Sequence, residues 1–243
     1  MIRGETGIVT SEADRMGQFD GDWMSQGAAD RISQGGGDRV SQSGGGRVNQ
    51  KARTRRAIVA AARELARTGS DVTMPEVARL ALVSEATAYR YFPDLVSLLS
   101  ETFEGLWPNP AEALAPVADS RDPVERIVFA CEFLLRGVLG YQGAVRATIS
   151  GTITRRDLTA VRPGIRFGLI DYALAPFEAT LAARDPGALP RLRQGLAVVV
   201  SAEALFVLID LCGLSPDEAI ASAAGTAAVL VAAAFRDAPA GHG

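Results

Sequence analysis

The chain reads as an all-α protein: an N-terminal three-helix, helix-turn-helix unit and a C-terminal helical body, preceded by a disordered arm. Three observations predict this. Between residues 54 and 235 apolar residues recur at helical spacing, and the breaks between these stretches carry Ser, Asp, Pro and Gly where helix caps and stops belong. Residues 73–92, TMPEVARLALVSEATAYRYF, form two short helical patterns around a tight turn. Residues 1–50 are rich in Gly, Ser, Gln and Asp and have almost no periodic apolar pattern, so they bury too little surface to offset ordering entropy. The expected division is an arm over 1–50, a helix-turn-helix domain over 51–110 and a helical body over 111–238.

Within the arm a short unit recurs every eight residues: DRMGQ from Asp14, DWMSQ from Asp22, DRISQ from Asp30 and DRVSQ from Asp38, with a degenerate RVNQ at Arg47. Eight residues is too short for the usual solenoid repeats, and the glycine runs penalise helix and strand alike. The segment reads as low-complexity, the alternative being a flexible arm whose arginines touch DNA. Met16 and Met24 leave a later start open.

Composition excludes much chemistry. With 243 residues, about half of them apolar, the chain can bury a sizeable core. Cys131 and Cys212 lie far apart and match no metal or redox spacing, so both read as buried thiols in a reducing compartment. The single histidine, His242, sits in a Gly-rich C-terminus, which removes Ser/His, Cys/His and His-metal sites. No catalytic residues, metal or cofactor are expected. Asp157, Asp171 and Glu178 carry no acid–base motif and read as surface charges or partners of Arg155, Arg156 and Arg166. No basic-then-apolar signal segment opens the chain, and the expected location is cytoplasmic.

The net charge of −3 argues against nucleic acid until it is divided along the chain. Residues 1–50 carry a net −2, residues 51–92 a net +4 and residues 93–243 a net −5. Positive charge is thus concentrated on and just before the helix-turn-helix, as phosphate contact requires.

The local pattern of that unit is detailed. Residues 54–68 place Ile58, Ala61, Ala62, Leu65 and Ala66 on one stripe, closed by Gly69. Thr73 and Glu76 have the spacing of a capping box. Leu82-Val83 forms the break, Ser84 caps the second helix, and Pro93 stops it. Val77, Ala78, Leu80, Val83 and Phe92 are the expected core. Ser84, Glu85, Ala86 and Thr87 open the second helix, the end that meets base edges in this motif. Ala86 and Thr87 suit a thymine methyl or a short hydrogen bond, Glu85 a cytosine amino group, and Arg90 a guanine or a phosphate. Tyr89 and Tyr91 have the reach of backbone phosphates, while the basic approach of Lys51, Arg53, Arg55 and Arg56 lies on the supporting helix. One of the two tyrosines can equally be core.

These features together resemble the N-terminal DNA-binding domain of the tetracycline-repressor (TetR) family of bacterial transcription regulators. The matching residues are the apolar first helix ending in Gly69, Thr73 with Val77-Ala78, Val83-Ser84, and Thr87-x-Tyr89-x-Tyr91-Phe92, with an apolar helix downstream. The chain departs from the pattern twice. Leu82 stands where the family usually has Gly, which predicts a turn that is wider or held by packing. Leu95 stands where a Lys is common, which predicts the loss of a backbone contact.

Beyond the unit, helices are expected over 94–107, 122–139, 144–153, 165–184 with a kink at Pro176, 189–211 and 216–235, with a loop from 108 to 122 and a turn at Asp185-Pro186-Gly187. Ser215-Pro216-Asp217-Glu218 is a full capping-box pattern. The last two helices are apolar over wider faces than one small core covers. A membrane reading is weak, because Glu203 and Asp210 interrupt the first and the apolar run of the second is short of the ~20 residues of a span. The resemblance implies that 189–211 and 216–235 pair with their copies in a homodimer on a palindromic operator in double-stranded DNA. It also implies a pocket among the middle helices for a small-molecule effector. Trp107, Phe129, Phe133, Tyr141, Arg146, Phe167 and Tyr172 are candidate walls, though their spacing fits ordinary core equally well. The function so implied is a repressor released by a ligand, the alternative being a DNA-binding regulator controlled by a protein partner.

Overall fold

The amphipathic stretch expected from residue 54 is the C-terminal part of a longer helix, α1 (Gly45–Arg67), so helical structure begins six residues ahead of Lys51. The computed structural model describes residues 45–69, 71–153 and 164–236. The eight-residue repeats, Arg155, Arg156, Asp157 and His242 lie outside the described residues. Ile58, Ala61, Ala62 and Ala66 are buried along α1, and Gly69 closes it with φ 70°, where a Cβ would be strained.

Two short helices follow, α2 (Met74–Leu80) and α3 (Glu85–Tyr91). The expected box at Thr73 is only half formed. Its hydroxyl accepts from the Glu76 amide at 3.4 Å but donates to the Glu76 carboxylate at 2.9 Å, so the carboxylate does not reach back to the Thr73 amide. Ser84 caps α3 by accepting from the Thr87 amide at 3.2 Å. Val77, Ala78, Ala88 and Phe92 form the core of this pair, whereas Leu80 is exposed and Val83 half-buried. Sequence proximity to other apolar residues misplaced Leu80, because the phase of so short a helix turns it outward.

Helix α4 (Leu95–Phe103) is capped by Asp94, which accepts from the Ser97 amide at 2.8 Å. It stops short of Trp107 because Gly105, at φ 69°, turns the chain back. The expected loop after it contains a helical turn, α5 (Pro110–Ala113), with a full capping box between Asn109 and Glu112, and a 3-10 turn over Ala115–Val117. Asp122 caps α6 (Pro123–Gly140), but Glu125 accepts from the Ser120 hydroxyl instead of completing a box. The chain then bends by 95° into α7 (Gln142–Ile153). The kink expected at Pro176 is a full break: α8 (Ile165–Leu174) gives way to a 3-10 turn over Ala175–Phe177 and then α9 (Glu178–Arg184).

The helix expected over 189–211 is two, α10 (Ala188–Val199) and α11 (Ala202–Asp210), bent by 44°. Buried Ser201 makes the break by donating to the Val198 carbonyl at 2.7 Å and accepting from the Ala204 amide at 3.0 Å, so it closes one helix and caps the next. Helix α12 (Pro216–Phe235) opens with the expected Ser215/Glu218 box. Its 20 residues reach the length and apolarity of a membrane span. In the fold, however, it buries Ala219, Ile220, Ala223, Ala224, Ala227 and Val231, and its main packing partner is α6. The described residues all belong to one compact unit, Gln42–Gly243.

One side chain organises the body around α6. Arg126 is only 2% exposed, yet no acidic group accompanies it in the cluster. Its guanidinium donates to the carbonyls of Val117 (2.7 Å), Ala118 (2.8 Å), Ala173 (2.9 Å) and Tyr172 (3.0 Å). The reason is local. Pro176 has no N–H to give the Tyr172 carbonyl four residues back, and at the end of the 3-10 turn the Ala118 carbonyl and the Val117 carbonyl, which also accepts from the Ser120 amide at 3.2 Å, face the same guanidinium. Arg126 satisfies both ends at once. Arg126→Ala should lower unfolding stability by about 3 kcal/mol or more, and Arg126→Lys should recover only part of it because an ammonium cannot span both sites. Urea denaturation checks this; a loss of less than about 1 kcal/mol for the alanine variant would show that the network is replaceable.

Candidate nucleic-acid interface

The surface of α3 follows from which residues face inward. Ala88 and Phe92 anchor it, four residues apart on one face. Glu85, Ala86, Tyr89 and Arg90 are therefore exposed together on the opposite side, with Tyr89 47% exposed. Thr87 and Tyr91 flank this face and are half-buried. The Thr87 hydroxyl lies 2.9 Å from that of Ser84, so it is engaged within the cap rather than free. The Arg90 guanidinium sits 5.8 Å from the Tyr91 ring. The open face thus offers one carboxylate, one methyl, one phenol and one guanidinium.

The supporting basic residues divide into two groups. Arg55, expected at phosphate, is instead tied down within the domain. Its Nε donates to Glu101 Oε1 at 3.0 Å, its Nη2 pairs with Glu101 Oε2, and its Nη1 donates to the Tyr91 carbonyl at 3.3 Å. The same guanidinium lies 4.4 Å from the centre of the Phe92 ring. Arg55 therefore caps the last carbonyl of α3 and binds it to α1 and α4. Its partner, Glu101, is 46 residues away and had no local signal. Arg63 likewise donates to the Thr102 carbonyl, at 3.1 and 3.4 Å. Lys51, Arg53 and Arg56 are exposed, as Arg55 itself is, and Arg56 Nε donates to the Ala52 carbonyl at 3.4 Å. Thr73 is exposed at the start of α2.

The unit is joined to the body through α4. Gly151 of α7 passes so close to Val96 that a Cβ there would sit 2.3 Å from a Val96 methyl. Arg146, from the same helix, forks onto Asp210 at 2.5 and 2.8 Å and covers the Phe206 ring at 3.9 Å, which ties α7 to the end of α11. These hydrogen bonds hold the Asp210 carboxyl below its ordinary value.

A narrow cleft with a cavity volume of about 80 Å³, partly open to solvent, lies where α4, α6, α7, α8 and α11 meet. Its walls are mostly apolar: Phe103, Trp107, Leu134, Val138, Val145 and Ile149 among them. Trp107 lies flat against Gly137, where a Cβ would come within 2.4 Å of the indole. The polar contribution is the Arg166–Glu203 pair, at 3.0 and 3.3 Å. Of the seven expected wall residues, Trp107 lines this cleft. Phe133 packs behind it, edge-to-face with Trp107 at 6.5 Å, and buried Tyr141 does the same with Phe103 at 6.1 Å. Arg146 faces Asp210, Phe129 is half-buried, Phe167 is 42% exposed under Arg193, and half-buried Tyr172 lies beside Arg126. Helical spacing alone could not separate the two sides of α6 and α8. Arg166 and Glu203 were missed because they meet only when α8 and α11 pack.

Other side chains depart from expectation in smaller ways. Asp171 pairs with Arg193, at 2.6 and 2.7 Å, rather than with Arg166. Cys131 is buried, and desolvation pushes its thiol up to about 12, so it is an inert core residue. Cys212 is exposed, in the turn before α12, and not buried. Among the described residues no three His, Cys, Asp or Glu side chains converge to hold a metal ion.

If Arg55 acts as a clamp, Arg55→Ala and Glu101→Gln should each cost about 1 kcal/mol of stability, with the double variant costing less than the sum. Thermal unfolding of the three variants checks this, and strict additivity would contradict the clamp.

No curated protein and no solved structure matches the chain. A family model, that of the bacterial regulatory proteins of the tetR family, matches residues 57–102. That span begins in α1, takes in α2 and α3, and ends on α4, so it coincides with the three-helix unit and the helix that anchors it. Residues 57–102 are thus similar to the DNA-binding domain of the tetR-family bacterial regulatory proteins, and that domain supports a DNA-binding transcriptional regulator.

Proposed function

We propose that the chain is a homodimeric repressor that binds a palindromic operator in double-stranded DNA and leaves it when a small-molecule effector occupies the cleft. The working division is a DNA-binding domain over 51–110 and a regulatory and dimerisation domain over 111–238, after an arm over 1–50. The observation that carries the reading is the open face of α3, four outward side chains with hydrogen-bonding and apolar character on a helix of the matched family domain. In this reading Glu85, Ala86 and Arg90 meet base edges, and Thr87, whose hydroxyl is held by Ser84, offers its methyl at the same end of the helix. Tyr89, Tyr91, Ser84, Thr73 and the exposed Arg53 position the helix on phosphates, and Arg55 acts from behind as a clamp. The protein acts as a cytoplasmic regulator rather than an enzyme, with no cofactor.

Dimerisation is assigned to α10–α11 and α12. Val198 is 72% exposed, Leu211 81% and Val229 62%, an apolar exposure on helices that the fold otherwise buries on one side. A twofold axis through these helices presents two copies of α3 to half-sites about one helical turn, ~34–36 Å, or a multiple apart. Release needs a ligand whose affinity differs between the two spacings of the reading units. The cleft suits that role because Phe103 of α4 forms one wall and α7, packed on α4, forms another.

Three outcomes are expected. Tyr89→Ala and Arg90→Ala should each weaken binding to the palindrome selected from genomic fragments by about tenfold, whereas Arg55→Ala should weaken it without changing the salt slope, since it releases no phosphate contact. Equal affinity for all three variants in fluorescence anisotropy would refute the interface. Val229→Glu should convert a dimer to a monomer by light scattering and abolish operator binding; a monomeric parent protein at micromolar concentration would remove the twofold reading. A metabolite screen should find a ligand that changes Trp107 fluorescence and frees the operator together, and a ligand that does one without the other would separate the cleft from the switch.

A further inference from the structure

Leu82 is the one non-glycine among the described residues with a positive φ, 55°. For an L-residue with a Cβ this left-handed geometry is unfavourable, and Gly or Asn is the low-energy choice. The turn does not depend on the leucine side chain. It is closed by backbone bonds from Ala81 to Val77 (2.9 Å), Leu82 to Arg79 (3.2 Å) and Val83 to Ala78 (3.0 Å), which any residue can make. Nor does the side chain contribute to a core. At 92% it is the most exposed large apolar residue among the described ones. Leu82 therefore carries a backbone cost and an exposed isobutyl group with no return inside the monomer.

What covers it follows from its place. Leu82 stands two residues before the Ser84 cap, and its Cα is at most about 11 Å from that of Glu85 along the extended chain. The exposed residues Leu82, Ser84, Glu85 and Ala86 are thus one continuous surface at the N-terminal end of α3. That end meets base edges in this motif, and the apolar group the major groove presents is the thymine 5-methyl. We infer that Leu82 is a specificity-determining residue that packs on a thymine methyl of the operator. The inference rests on the DNA-binding reading above, and it adds to the recognition surface a residue in the turn rather than on the helix.

The test compares the full-length parent with Leu82→Gly, Leu82→Asn and Leu82→Met on the selected operator, and on operators with single thymines replaced by deoxyuridine. Relief of the left-handed leucine should raise Tm by about 3 °C in the Gly and Asn variants. The same two should lose about tenfold in affinity with an unchanged salt slope, while Leu82→Met stays within about twofold of the parent. At one half-site position, removal of the methyl should weaken the parent by a similar factor and leave Leu82→Gly unaffected. Parental affinity in both the Gly and Asn variants, or no deoxyuridine position that couples to residue 82, overturns the inference. So does a falling Tm, which would assign the leucine to the fold. If the parent binds no genomic fragment, the DNA-binding reading fails as well, whereas tight binding insensitive to residue 82 removes the present inference alone.

Discussion

A single buried guanidinium holds the body together. Arg126 points from α6 into a place where two helical segments end, and its donors replace hydrogen bonds that Pro176 and the short 3-10 turn cannot make. Burying a cation without an acid is costly in isolation. Here the charge is stabilised by four carbonyl dipoles, one of which, that of Val117, also accepts from the Ser120 amide. With α8 and the 115–117 turn docked on one side of α6, α12 covers the other with Ala219, Ile220, Ala223, Ala224, Ala227 and Val231.

The same device recurs at smaller scale in the DNA-binding unit. Arg55 caps the last carbonyl of α3, covers Phe92 and pairs with Glu101, so one side chain sets where α3 lies on α1 and α4. Arg146 then links α7, which is packed on α4, to the end of α11. Arginine suits these positions because its planar fork can satisfy two directions at once. A path of contacts thus runs from α3 through α4 and α7 to the helices next to the cleft and the exposed apolar faces. Its links are hydrogen bonds and close backbone approaches, such as Gly151 on Val96, rather than soft side-chain packing.

Much of the architecture was legible in local chemistry. The caps at Thr73, Ser84, Asp94, Asp122 and Ser215, and the stops at Gly69, Pro93 and Pro176, all act within a few residues of themselves. The α5 turn too has a local signal in the chain, the Asn109-Pro110-Ala111-Glu112 capping box. The break at Ser201 was harder, because a serine in an apolar run reads as tolerable helix until its burial makes it cap. The outward face of α3 was partly legible. Glu85, Ala86, Tyr89 and Arg90 stood in the right places, while Thr87 proved to be held by Ser84.

The sequence by itself determined the helices, their caps, the family of the reading unit and the concentration of positive charge upon it. These follow from interactions between residues a few positions apart, which leave a pattern in the chain. Tertiary structure alone decided that Arg55 pairs with Glu101 and caps α3, that Arg126 gathers four carbonyls, that Arg166 meets Glu203 in the cleft, and which aromatics line it. Each of these joins residues 8 to 47 positions apart. The helical repeat says which residues share a face, but the partner of that face is set by how whole helices dock. Leu82 lies between the two cases: its anomaly was visible in the chain, and only the fold revealed that the backbone bends left-handed there while the side chain stands free.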